Sequence, residues 1–236
     1  MNNFLSYLNP QQSSQLEEIV SKLISRFQPE KIYCFGSRIE NSARFSCFMP
    51  EQKQESIQFD LLMITSCIPV HEPQHYINSR YIKGKITILN HSARALNAAL
   101  QLKHPFFIRV YEEGQLLYLS DQKTEISPEA MAPTIFLKSR FNYQAHFTQA
   151  TEHLQTAKQT QQDHPQALNR IRESVKQICI GLIQTYMQYY CSRLSLCQLM
   201  SLCRNFSTVT EECFPQNKPE EIRLVHLLLK IHPKTT

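Results

Sequence analysis

Apolar residues in this chain repeat in two different ways, and the change falls between residues 121 and 133, where Pro128 and Pro133 stand among mostly polar neighbours. Before that segment they come in short runs suited to strands: Ile32-Tyr33-Cys34-Phe35, Phe59-Asp60-Leu61-Leu62-Met63-Ile64-Thr65 and Ile86-Thr87-Ile88-Leu89. After it they recur at helical spacing, with Leu168, Ile171, Val175, Ile178, Leu182, Ile183, Tyr186 and Tyr190 forming one stripe of a long helix. One packing layer cannot serve both periods. The chain is therefore expected to be α+β: a mixed sheet with helices over residues 1–120, a linker at 121–134 and an all-α helical bundle over 135–236.

With 236 residues, 42% of them hydrophobic, both parts can bury a core. Four glycines and no tryptophan argue against an all-β architecture. The eight cysteines are scattered, without a CxxC pair, and several fall on apolar faces. Reduced, buried thiols explain them better than a disulfide scaffold. No basic segment followed by an apolar run opens the sequence, and no stretch is long and apolar enough to span a bilayer. The expectation is a cytoplasmic protein with no membrane partner. Residues 1–125 hold 13 Lys+Arg against 12 Asp+Glu, and residues 126–236 hold 12 against 8, so the net charge of +5 sits mostly in the second half. Such a field favours phosphate-bearing partners without a dense basic run.

The element boundaries follow from local signals. Ser14-x-x-Glu17 reads as a capping box opening a helix through Phe27, and Pro73 as the first turn of another. Residues 92–102 read as a short helix, and residues 106–119 as two β segments around Glu112-Glu113-Gly114. In the second half, helices are expected over 138–161, 194–204 and from Pro219, the last burying Ile222, Val225, Leu228, Leu229 and Ile231.

The most informative stretch for chemistry is Lys31 to Asp60. A strand ending in Gly36-Ser37-Arg38 before a helix would leave backbone N–H groups and a hydroxyl facing a phosphate, and Asp60 on the next strand could hold its counter-cation. Gly36, Ser37 and Arg38 are thus the candidate nucleotide-binding residues. Arg38 could engage a phosphate with two hydrogen bonds. His71-Glu72-Pro73-Gln74-His75 spells a zinc-protease motif, but Pro73 interrupts the helical turn that would bring both histidines together, so no metal site is assigned there. Arg140 and His146 have the spacing of a ribonuclease pair, although exposed helix residues explain them more simply. A basic groove of His153, Lys158, Arg170, Arg172 and Lys176, or base stacking by Tyr186, Tyr189 and Tyr190, competes with ordinary solvated or core positions.

The segments KIYCFGSR (31–38) and FDLLMIT (59–65) resemble the minimal nucleotidyltransferase family. The long central helix and the segment LMSLCRNFSTVTEECF (199–214) look like a HEPN domain. The resemblance covers nearly the whole chain and implies a bacterial nucleotidyltransferase/HEPN fusion. It also implies an ATP-like nucleotide or RNA as partner, Mg2+ as cofactor, a homodimer, and a toxin–antitoxin or defence setting. The chain departs from both families. The first aspartate of the transferase pair is replaced by Gln58, the strand at 85–89 bears no carboxylate, and no histidine follows Arg193 at ribonuclease spacing. Asp60 is accordingly a vestigial catalytic residue, since one carboxylate does not clamp two Mg2+ ions. A working transferase using Asp60 and one metal, or a dimeric structural module, are the alternatives.

Overall fold

The computed structural model describes residues 8–38, 45–46, 58–66, 72–81, 86–120, 139–191, 193–215 and 218–230. The chain divides into two compact units, Met1–Ile135 and Phe136–Thr236. The expected linker at 121–134 lies outside the described residues.

In the first unit, helix α1 (Pro10–Phe27) starts earlier than Ser14. The Asn9 side chain accepts the Gln12 N–H at 2.9 Å, and the Gln12 side chain accepts the Asn9 N–H at 2.8 Å. Asn9-x-x-Gln12 is therefore the capping box, with Pro10 pre-set for the first turn. Leu16, Ile19, Val20 and Leu23 form the buried face.

The sheet is mixed and five-stranded: β1 (Lys31–Arg38), β2 (Phe45–Ser46), β3 (Gln58–Thr65), β4 (Ile86–Ser92) and β5 (Gln115–Leu119). Strand β3 is central, antiparallel to β1 and parallel to β4. The other edge of β1 is shared, with β5 pairing along residues 31–34 and β2 at Gly36 and Ser37. Alternation sends Ile32, Cys34, Phe59, Leu61, Met63, Ile86 and Ile88 to one face, where they join the α1 residues and Ile77 in a single core.

Helix α2 (Glu72–Asn78) docks through an amide. Gln74 Nε2 donates to the Ile86 carbonyl at 2.9 Å, and the Ile88 N–H donates to Gln74 Oε1 at 2.7 Å. One side chain thus pairs two backbone groups of β4 as a further strand would. Within the HEPQH segment it is Gln74 that makes this docking contact. His75 is exposed, and His71 lies outside the described residues.

Helix α3 (Ala93–Gln101) is capped by the Ser92 side chain. The next element corrects an expectation: Pro105–Glu113 is a helix, α4, and only 115–119 is a strand. Its aromatic and branched residues suggested strands, yet Phe106, Phe107 and Val110 are buried together at helical spacing behind Pro105 in the first turn. Tertiary burial overrides their β preference. Phe106 packs edge-to-face on Phe35 at 5.6 Å, so α4 covers the second face of the sheet.

The second unit contains α5 (Ser139–Gln159), α6 (His164–Tyr186), α7 (Leu196–Cys203), α8 (Val209–Cys213) and α9 (Pro219–Lys230). Helices α5 and α6 meet through small and polar residues. Ser174 Oγ donates to the Ala150 carbonyl at 2.8 Å, and a Cβ added to Gly181 would stand 3.0 Å from His146 Cβ. Against α7, Cys179, Ile180 and Ile183 join Leu196, Leu199, Leu202 and Cys203 in the core.

The expected stripe of α6 is thus buried only in part, at Ile183. Leu168, Val175, Ile178 and Leu182 are only half-buried, and Ile171 is exposed. Tyr190 falls beyond the helix end. In α9, Val225 and Leu228 are buried, whereas Ile222, Leu224 and Leu227 are exposed, and Ile231 lies outside the described residues. No helix among the described residues is long and apolar enough to cross a membrane.

Candidate functional site

The expected phosphate corner takes a different form. Gly36, Ser37 and Arg38 continue β1 in place of the turn that was to lead into a helix. The pairing with β3 shifts between Cys34 and Gly36, the irregularity expected of a bulge at glycine, and the Cys34 thiol donates to the Gly36 carbonyl at 3.3 Å. Beyond the shift, Gly36 stands opposite Asp60, Ser37 opposite Phe59 and Arg38 opposite Gln58. With strands on both sides, the backbone of Gly36 and Ser37 enters the ladder.

This register also separates two residues that were expected to act together. Cross-strand partners share a face, so Ser37 lies with Phe59 on the α1 side, while Asp60 lies on the α4 side with Gly36 and, across β4, Thr87. Gln58, two residues before Asp60, belongs to the Asp60 face. All four side chains are buried, and Asp60 is 0% exposed. The side chain of Arg38 lies outside what is described.

Around Asp60 the register thus gathers one carboxylate, one amide and one hydroxyl. That donor set is too poor for a two-metal centre, and all three side chains are buried. Among the described residues, no three His, Cys, Asp or Glu side chains are grouped so as to hold a metal ion.

His146 and Arg140 are both on α5. His146 is half-buried with Nδ1 2.7 Å from Gln177 Oε1. This contact ties α5 to α6. The Arg140 side chain lies outside what is described. Of the proposed basic groove, Lys176 sits 3.8 Å from Glu173, an ion pair within one helical turn.

Two clusters escaped the sequence reading. His91, at the end of β4, and His104, before α4, both pack edge-to-face on Phe107, at 5.1 and 5.2 Å. Burial pushes the His91 imidazole down to about 4, with the nearby His104 adding to the effect, and burial also lowers His104. Cys179, Cys191 and Cys203 are buried in the second core, where Cys203 Sγ donates to the Cys179 carbonyl at 3.7 Å. Burial raises Cys191 to about 12 and Cys203 well above the ordinary thiol range, so both are protonated and unreactive. Neither cluster has a sequence signature, because its members come from separate elements.

No protein-family model, curated protein or solved structure significantly matches the chain.

Proposed function

We propose that the chain is a nucleotidyltransferase-like domain followed by a HEPN-like bundle that binds a nucleotide or RNA and is impaired in transfer, within a toxin–antitoxin or defence setting. The observation that carries this reading is the buried polar group of Asp60, Gln58 and Thr87 in a sheet whose other interior positions are mostly apolar. Filling a core does not require a carboxylate, and its place among apolar residues supports a role beyond packing. Asp60 would hold one Mg2+ through the phosphates of an ATP-like nucleotide. Gln58, where the family has an aspartate, supplies no second charge.

Thermal unfolding with and without millimolar ATP and Mg2+ tests binding. Stabilisation is expected in the wild type and is lost in Asp60→Asn. Incubation with labelled ATP tests impairment. Robust nucleotide transfer to the protein or to RNA, abolished by Asp60→Asn, would make the chain a working transferase and overturn the reading.

A second reading, a dimeric module, is favoured by one observation. Leu224 and Leu227 are 66% and 52% exposed on α9, and the α6 stripe remains incompletely covered.

A further inference from the structure

We infer that two copies of this chain pair by laying α9 of each on an apolar margin of the α5/α6 hairpin of the other. Two contacts locate that margin. Ala150 and Ser174 face each other across the seam between the helices, since Ser174 Oγ donates to the Ala150 carbonyl. His146, four residues before Ala150, meets Gln177, three residues after Ser174, at 2.7 Å. Positions four before and three after the seam residues therefore share one side of the hairpin, and that side is polar: His146 and His153 on α5, Arg170 and Gln177 on α6. Positions three before and four after fall on the other side. They are Phe147 and Leu154 on α5, and Ile171 and Ile178 on α6.

This second margin is apolar and open. Phe147, Leu154 and Ile171 are 45%, 43% and 37% exposed, and Ile178 is half-buried. Because the helices run antiparallel, Leu154 stands level with Ile171 and Phe147 with Ile178, so the four form one strip. Tyr143 stacks on Phe147 at 6.1 Å and holds its ring in place.

The complementary ridge is on α9, where Val225 and Leu228 are buried in the same unit and Leu224 and Leu227 remain outside. Charge sets the direction of docking. Lys158 lies one turn beyond Leu154, and Glu220 lies one turn before Leu224. Both are exposed, and neither forms an ion pair among the described residues. With α9 antiparallel to α5 of the other copy, Glu220 reaches Lys158 while Leu224 and Leu227 cover the strip.

A strip of four side chains is smaller than a stable interface, which takes roughly 800 Å² on each partner. Around a two-fold axis the contact forms twice, and both open surfaces of the unit are covered at once. Pairing of α9 with α9 would leave the strip in water. The inference rests on the dimeric reading above and names the surfaces that meet.

The test is sedimentation equilibrium of the full chain at low ionic strength, where rim charges are least screened. Wild type is expected to dimerise. Leu154→Glu and Leu224→Glu should each weaken association roughly tenfold without lowering the melting temperature. Lys158→Glu should weaken it by a smaller factor, and adding Glu220→Lys should restore it, because the swapped charges again face each other. If Leu154→Glu is as dimeric as wild type, the strip is not in the interface; if the double swap is no better than Lys158→Glu alone, the two rims do not meet. Either result ends the inference and leaves the dimeric reading standing. A wild-type monomer at every concentration removes both.

Discussion

Single residues carry several of the departures from ideal geometry in this chain. Gln28, Lys103 and Gln188 have φ of 46°, 54° and 54°, and they follow α1, α3 and α6 at positions where glycine is the usual residue. A chain with four glycines meets this requirement with side chains that resist the left-handed region. Replacing Gln28 or Lys103 by glycine should raise stability by about 1 kcal/mol each, measured as the urea midpoint at constant slope. His91 yields a pH prediction. Its folded value of about 4 lies below the ordinary 6.5, so the unfolded chain binds a proton that the folded chain refuses. The contribution is intact above about pH 6.5, declines as pH falls, and is lost by about pH 4, a change on the order of 3 kcal/mol. Urea unfolding at pH 7 and pH 4 should show wild type losing more stability than His91→Gln. Equal losses would mean that the imidazole is hydrated.

At the scale of elements, docking depends on polar groups that hydrophobic patterning does not reveal. Gln74 sits within a segment that spells a metal motif, yet it satisfies the Ile86 carbonyl and the Ile88 N–H. Gln74→Ala should destabilise the first unit by about 1–3 kcal/mol, because two strand groups lose their partner. Gln74→Glu keeps the acceptor for Ile88 but cannot donate to Ile86, so its cost should approach that of alanine. Denaturant melts of both variants decide this. The strands expected at 31–35, 57–65 and 85–89 were legible, to within a few residues at their ends, because their apolar runs are short and bounded. Helix α4 was not legible, since Phe106, Phe107, Ile108, Val110 and Tyr111 satisfy either period until the sheet beneath them is known. In α6 the apolar stripe was read correctly as helical, and it is only partly buried, with Ile183 in the core and Ile171 exposed. Close approach to α5 selects Ser174 and Gly181, residues that a hydrophobic count passes over.

For the molecule as a whole, two partly covered apolar surfaces of the second unit, on α6 and α9, argue for self-association. Light scattering across a dilution series should show a dimer that dissociates on dilution, and Leu224→Glu with Leu227→Glu should give a monomer that still folds. A wild-type monomer at all concentrations would show that those surfaces remain solvated. The sequence by itself determined the α+β class, most of the helices and strands, and the position of Asp60 on the strand that follows the Gly36-Ser37 segment, because each depends on local period or immediate chain neighbours. Tertiary structure decided what those residues can do together. Whether Gly36 ends a strand or continues it depends on β2 and β3 lying on either side, and which face Ser37 shares depends on a register shift at Cys34. Both are set by pairings between residues far apart in the chain, and period alone does not encode them.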